Sequence, residues 1–326
     1  MQHSRIGRTG RLTGVVALGA TLALTLAACN RDSGGDAGGE GGGGAAAGKS
    51  VTLSLSTLNN PFFVDVRDGA QSAADELGIE LEVVDSQNDS TTEANQVANS
   101  VTGGAEGLVI NPVDSDAAGA SVGPALQADI PVVAVDRAVN GAEVDSLISS
   151  DNVAGGKQAA DALAAAIGEK GKVIVLQGVA GTSASRDRGQ GFADGIAAYP
   201  DIEVVANQTA NFDRAEALDV ATNLLQSHPD AVGVFAENDE MALGAVQALG
   251  AKAGDGVSVV GFDGTDDGLA AVKDGKMAAT IAQQPVELGK KSVEVMSQVL
   301  AGETVDAEIP VPVETVTVDN VADFLK

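Results

Sequence analysis

The sequence predicts an α/β protein built from two doubly wound, parallel-sheet lobes. Three observations carry that expectation. From Val51 onward, short apolar runs alternate with longer Ala-rich stretches of helical period. Runs such as Val173-Ile174-Val175-Leu176 are apolar without alternation, as parallel strands covered on both faces require. The pattern repeats as four or five units on each side of a break at Asp151-Asn152, and strict strand–helix alternation is the mark of parallel sheets carrying helices on their faces.

In the first half, strands are expected near 51–57, 79–85, 107–111 and 131–136, with helices near 62–77, 90–102 and 114–128. A further apolar strand near 146–150 ends at Asp151-Asn152, where the first crossing between lobes is placed. In the second half, strands are expected near 172–178, 203–208, 231–237, 257–263 and 278–283. The helices there fall near 153–167, 186–199, 213–227, 239–250 and 285–301. No GxGxxG or Walker sequence follows any of these strands, and Gly189-Gln190-Gly191 is too isolated to count, so a nucleotide is not the expected ligand.

The N-terminal segment reads as an export signal. Arg5, Arg8 and Arg11 precede an apolar run from Leu12 to Ala28 with no acid among them. That run is short and Ala/Gly-rich, a poor membrane span. Leu26-Ala27-Ala28-Cys29 has the form of a lipobox, which makes residues 1–28 the signal and Cys29 the lipidated residue. Cys29 is the single cysteine, so no intrachain disulfide is available. Residues 29–49 then have the Gly/Ala composition of a flexible tether, including Gly41 to Gly44. Removing three arginines with the signal leaves 16 of 19 basic side chains against 46 acidic ones, a net charge of −30. Such a charge argues against nucleic acid and against adsorption to anionic lipid.

Catalytic and metal chemistry find little material. Of two histidines, His3 leaves with the signal and His228, in Ser227-His228-Pro229, reads as a helix end. No Ser/His/Asp triad, Cys/His metal set or HExxH can be assembled. Carboxylates are plentiful, but no pair stands out as an acid/base couple, and most are expected on the solvated surface. No enzyme activity, cofactor or metal is expected.

The unusual residues gather instead at strand ends. With no Trp, one Tyr and seven Phe, each aromatic is informative. Phe192, Phe235 and Phe324 suit the core. Phe62 and Phe63 follow Asn59-Asn60-Pro61 directly after the first strand, Phe212 sits in Ala210-Asn211-Phe212-Asp213, and Phe262 precedes Asp263. Asp136-Arg137, Arg186 and Arg188, Asn238-Asp239 and Gln283 occupy the same kind of place. In open parallel sheets the carboxyl ends of the strands form the ligand crevice. A sugar ring has C–H patches that pack on aromatic faces and hydroxyls that donate and accept. Asp accepts, Arg donates in a fork, and Asn and Gln do both. Capping alone suffices for Asp213 and Asp239, which look like helix starts, but not for Arg137, Arg188, Asn238, Asp263 and Gln283 together.

Several segments now resemble a known family. Ser56-Thr57-Leu58-Asn59-Asn60-Pro61-Phe62-Phe63, Ile130 to Arg137, Gly181 to Gly189, Ala210 to Arg214, Asn238 to Gly244, Gly261-Phe262-Asp263-Gly264 and Thr280 to Gln283 are similar to the bacterial D-ribose-binding proteins, over roughly Val51 to Ala301. Singly, Gly-Phe-Asp-Gly or Asn-Asp-Glu-Met points only to the wider pentose- and hexose-binding group and the LacI-type repressors. The resemblance implies a periplasmic-binding-protein type I fold, two lobes joined by a three-crossing hinge that close on the sugar. The first lobe would comprise 51–150 and about 284–312, the second 151–283 and about 313–326.

Carried over position by position, the family's ligand contacts fall on Ser56, Asn60, Phe62, Phe63, Asp136 and Arg137 of the first lobe. The second supplies Arg188, Phe212, Asn238 and Asp263, with Gln283 beside a crossing. Arg188 is the aligned arginine and Arg186 the alternative. The ring would lie between Phe63 and the pair Phe62 with Phe212. The implied role is a monomeric, extracytoplasmic, membrane-anchored component of an ABC sugar importer, delivering D-ribose to a permease driven by an ATPase. Xylose, allose or another pentose or hexose is the alternative ligand, and docking to a chemoreceptor or sensor kinase the alternative output. A repressor would need an N-terminal helix-turn-helix and a basic surface. The lipobox and the tail Val318 to Lys326 depart from the family pattern.

Overall fold

In the computed structural model, which describes residues 46–325, the apolar runs do become strands in two layered sheets. The export signal, Cys29 and most of the tether lie outside the described residues. The first sheet contains β1 (Ser50–Leu55), β2 (Glu80–Asp85), β3 (Gly107–Ile110), β4 (Val132–Val135) and β5 (Ser146–Ser150). The second contains β6 (Gly171–Gln177), β7 (Ile202–Thr209), β8 (Ala231–Ala236), β9 (Ser258–Asp263) and β10 (Ala279–Ala282). Each is completed by a late strand, β11 (Glu308–Val311) and β12 (Glu314–Thr317). The orders are β11-β5-β4-β3-β1-β2 and β12-β10-β9-β8-β6-β7. Every pairing is parallel except β10 with β12. The chain thus passes between sheets after β5, after β10 and between β11 and β12.

The helices are α1 (Pro61–Leu77), α2 (Ser90–Gly103), α3 (Ala118–Gln127), α4 (Asn152–Ile167), α5 (Ser183–Ile196), α6 (Arg214–Ser227), α7 (Asp239–Leu249), α8 (Asp266–Lys273) and α9 (Pro285–Leu300). Side-chain caps start most of them: Asn60, Asp89, Asp151, Thr182, Asp213, Asn238 and Thr265 each accept a hydrogen bond from a first-turn N–H. Gly78, Gly104 and Gly168 end α1, α2 and α4 in the left-handed conformation. Helix α9 leaves the second sheet yet packs on the first, its Leu288 and Met296 joining Leu53, Leu55 and Val66 in one buried cluster. That approach requires glycine on both helices. A Cβ on Gly69 would collide with the Val286 carbonyl, and one on Gly289 with that of Val66.

Differences from the sequence expectation have local causes. Helix α3 begins at Ala118 rather than near 114, because the Asp114 carboxylate accepts from the N–H groups of Asp116 and Ala117 and forms a turn instead. Helix α5 begins at Ser183, earlier than 186, under the Thr182 cap. Asn238, not Asp239, caps α7, and Asp239 is fully buried. Helix α8 and the strands β11 and β12 were not foreseen. The first is two turns long, and β11 carries Pro310, tolerated there because β11 is an edge strand.

Candidate functional site

Both sheets reverse strand order beside an early strand, β1 between β2 and β3 in one and β6 between β7 and β8 in the other. Loops after these strands diverge there and open a crevice. The two crevices face each other across one small cavity. From the first lobe Asn60, Phe62, Phe63, Asp136 and Arg137 line it; from the second come Ala184, Arg188, Phe212, Asn238, Asp263 and Gln283. The structure therefore brings together all the sequence-selected residues but one. Ser56 is fully buried at the end of β1, outside the lining, where its N–H donates to Asn111 Oδ1.

On the first lobe, Phe62 and Phe63 meet edge to face with ring centroids 5.2 Å apart. The Arg137 guanidinium lies 5.3 Å from the Phe63 centroid and 5.6 Å from that of Phe212, so it touches aromatic faces from both lobes. Its Nη1 donates to the carbonyls of Pro112 (3.0 Å) and Val113 (3.3 Å). Asn111 holds the neighbouring Asp136, donating from Nδ2 to Asp136 Oδ2 and to the Val135 carbonyl, each at 3.2 Å. On the second lobe, Arg188 stacks 3.9 Å from the Phe262 centroid and donates to Asn152 Oδ1 (2.9 Å) and the Glu237 carbonyl (2.7 Å). Its Nη1 is 3.5 Å from Asp263 Oδ1, which also accepts from Gln283 Nε2 at 2.6 Å.

Two asparagines do double duty. Asn60 and Asn238 spend their Oδ1 on the helix N–H groups of Phe62 and Met241 while remaining in the cavity wall. The backbone is bent for the purpose as well. Asp136, Phe212 and Asp263 have φ of 66°, 59° and 122°, values that non-glycine residues seldom adopt and that gather at functional sites.

Among the described residues, the buried ionisable side chains are Glu93, Asp136, Arg137, Arg188, Glu237, Asp239 and Asp263. Four line the cavity and the other three lie behind it, so the interior's charge is concentrated at one place. Burial pushes the Asp136 carboxyl up against the opposing pull of Arg137. Burial also raises Asp263 well above the usual carboxylate range, with Arg188 opposing and Asp239 adding to the rise. Four buried polar atoms of the sequence-selected residues have no hydrogen-bond partner in the protein: Ser56 Oγ, Asp136 Oδ1, Arg137 Nε and Gln283 Oε1. Ser56 Oγ lies outside the cavity lining; the other three, two acceptors and a donor, are groups that a ligand rich in hydroxyls would satisfy.

The lobes are closed on each other beside this cavity. Ser115 N donates to the Gly181 carbonyl, Ser183 N to Ser115 Oγ, and Ala138 N to Ser183 Oγ, at 3.0, 3.0 and 2.9 Å. Arg186, the alternative arginine of the sequence, belongs to this clasp; it is exposed and pairs with Asp116 at 3.1 Å. Among the described residues no cluster of three His, Cys, Asp or Glu is placed to hold a metal, and no helix is long and apolar enough to cross a membrane.

Sequence reasoning missed Asn111, Glu93, Asn152 and Glu237. Asn111 and Glu237 follow β3 and β8 directly, the same strand-end position that flagged Asp136 and Asn238, so the rule could have found them. Glu93 is within α2 and had no such signal.

Residues 51–304 match the model of a periplasmic binding protein domain. The ribose import binding protein of Salmonella typhimurium is 54% identical over 267 residues, 82% of this chain and 90% of that protein. The ribose import binding protein of Bacillus subtilis is 44% identical over 268 residues, 82% and 87% of the two chains. Among solved structures, an ABC transporter solute binding protein from Bacillus halodurans with bound myo-inositol superposes with a TM-score of 0.80 at 32% identity, covering 86% of this chain and 98% of that one.

Proposed function

We propose, from the premise that this chain belongs to the periplasmic binding protein family, that it captures D-ribose between its lobes and hands it to the permease of an ABC importer. The observation that carries this reading is the cavity wall. Aromatic faces from both lobes stand beside aspartate, arginine, asparagine and glutamine groups, several with buried polar atoms that find no hydrogen-bond partner in the protein. A neutral polyol supplies a donor and an acceptor at each hydroxyl, and a site that pairs each of them rejects analogues lacking one. Ribose is favoured over other sugars because the relatives of 44% and 54% identity are named for ribose import.

In this reading Asn60, Phe62, Phe63, Asp136, Arg137, Arg188, Phe212, Asn238, Asp263 and Gln283 contact the sugar, and Ser56 supports them from the end of β1. The protein performs no chemistry on the ligand. Binding is coupled to delivery by closure, since contacts divided between lobes exist only when both engage. Lipidation of Cys29 would tether the domain outside the membrane. One calorimetric series against ribose, xylose, arabinose, allose, galactose, glucose and myo-inositol tests the assignment. Ribose should bind most tightly; a tighter competitor, or no ribose binding, refutes it.

A further inference from the structure

Behind each cavity-facing arginine stands a buried glutamate that does not reach the cavity. Glu93, on α2, accepts the Val113 N–H at Oε2 (2.7 Å), and the Ser121 hydroxyl of α3 sits beside the same carboxylate. The segment it grips is the one whose carbonyls at Pro112 and Val113 hold the Arg137 guanidinium. Glu237, directly after β8, accepts the Gly178 N–H at Oε2 (2.7 Å) and the Ser185 hydroxyl through a short bond. Ser185 lies one helical turn before Arg188, and the Glu237 carbonyl accepts from Arg188 Nη1.

The arrangement is the same in both lobes. One carboxylate oxygen takes a loop N–H beside a serine hydroxyl, while the other, Oε1, is buried with no hydrogen-bond partner. Both glutamates are fully buried. Satisfying one loop amide does not call for a charge in the interior, where an unpaired ion is costly. What the two positions share is the arginine in front, whose charge acts on each carboxylate. We propose that Glu93 and Glu237 are positioning residues, one per lobe, that fix the loops and guanidiniums of Arg137 and Arg188 in the geometry the sugar meets. The proposal rests on the sugar-site reading above.

Ribose calorimetry and thermal melts on the full-length protein test it, using variants alone and combined with Arg188→Ala. Glu237→Ala should weaken ribose binding about tenfold or more, because it frees the Gly178 loop and the first turn of α5, which leads into Arg188. Glu237→Gln should stay within about threefold of wild type, since the amide oxygen still accepts from Gly178 and Ser185. In the Arg188→Ala background Glu237→Ala should add less than about threefold, whereas Glu93→Ala, acting through the other lobe, should keep its effect of about tenfold. A structural role alone would lower the melting temperature and weaken binding equally in both backgrounds, and that result overturns the proposal. If Glu237→Ala fails to fold, Ser185→Ala decides: about threefold weaker binding with Arg188 present and none without it supports the bracing, and equal effects refute it. Ribose binding that Arg188→Ala leaves unchanged would remove the site reading and the bracing with it. Arg188-dependent binding indifferent to Glu237→Ala removes the bracing alone.

Discussion

Glu237 makes the stability of the protein depend on pH in a direction opposite to that of an ordinary surface carboxylate. Burial pushes its carboxyl from 4.5 up to about 7, against the pull of the Gly178 N–H, the Ser185 hydroxyl and Arg188. An acid whose folded pKa is raised stabilises the fold fully below its unfolded value, and that stability is lost as pH climbs through the folded value. The window here runs from about pH 4.5 to about pH 7. A shift of roughly 2.5 units at 1.36 kcal/mol per unit corresponds to about 3 kcal/mol of destabilisation by pH 8. Glu237→Gln cannot ionise and should be free of it. The variant carries a constant cost, an amide NH₂ where Oε1 now lies unpartnered, so the quantity to read is the change with pH. Urea unfolding followed by far-UV circular dichroism, at pH steps from 4.5 to 8.5, gives the variant-minus-wild-type difference. It should rise by about 3 kcal/mol towards pH 7 and then level off. A difference flat across the range would mean that Glu237 ionises as an exposed glutamate does, and would refute the effect of burial.

Three further outcomes are expected. Phe63→Ala removes a cavity wall and the face under Arg137, and at about 3–5 kcal/mol for a truncated buried Phe, ribose affinity should drop at least about a hundredfold by calorimetry; unchanged affinity in a folded variant would return Phe63 to a core role. Ser183→Ala deletes the acceptor of the Ala138 N–H without touching the cavity wall, so about 1 kcal/mol of closed-state stability is lost and affinity should fall about fivefold. Small-angle scattering of the same variant should show a larger unliganded radius of gyration, and no change in either quantity would dismiss the clasp. Cys29→Ser should abolish incorporation of labelled fatty acid and move the protein out of the membrane fraction; a variant that stays membrane-bound with unaltered mobility refutes lipidation.

The strands were legible because runs such as Val173 to Leu176 are covered on both faces and carry no competing helical period. The cavity wall was legible for another reason: few aromatics and arginines are present, and parallel topology sends every strand end to the same crevice. What the sequence could not tell apart was burial among like residues. Glu237 is one of 46 acids, and its burial against Gly178 and Ser185 depends on partners 59 and 52 residues away in the chain. Arg186 and Arg188 differ by two positions, which on a helix turns them to opposite sides; α5 begins early enough to hold both, burying Arg188 and exposing Arg186. Asn238 rather than Asp239 caps α7 for a similar reason. Asp239 is drawn inward by Thr265 and Thr280, partners that lie 26 and 41 residues away in the chain.

The balance of buried charge bears on what kind of ligand the site can accept. Two guanidiniums face five carboxylates, of which Asp136 and Asp263 lie within 3.7 and 3.5 Å of Arg137 and Arg188. Those two pairs neutralise each other and leave Glu93, Glu237 and Asp239 in excess. Part of the remainder is offset by the amino-terminal ends of α1, α5 and α7, whose first residues or caps lie in the cavity wall and whose aligned dipoles each carry roughly half a positive charge. Burial raises all three outlying acids, which weakens the preference of each for its charged form. A site balanced in this way has no net positive charge to spare for an anion despite its two arginines. A sugar phosphate or sugar acid would bring an unpaired charge into a closed interior, at a cost of several kcal/mol. A neutral sugar needs only directional partners, and in the proposed reading the arginines, already paired with aspartates, would serve as forked hydrogen-bond donors rather than as counter-ions.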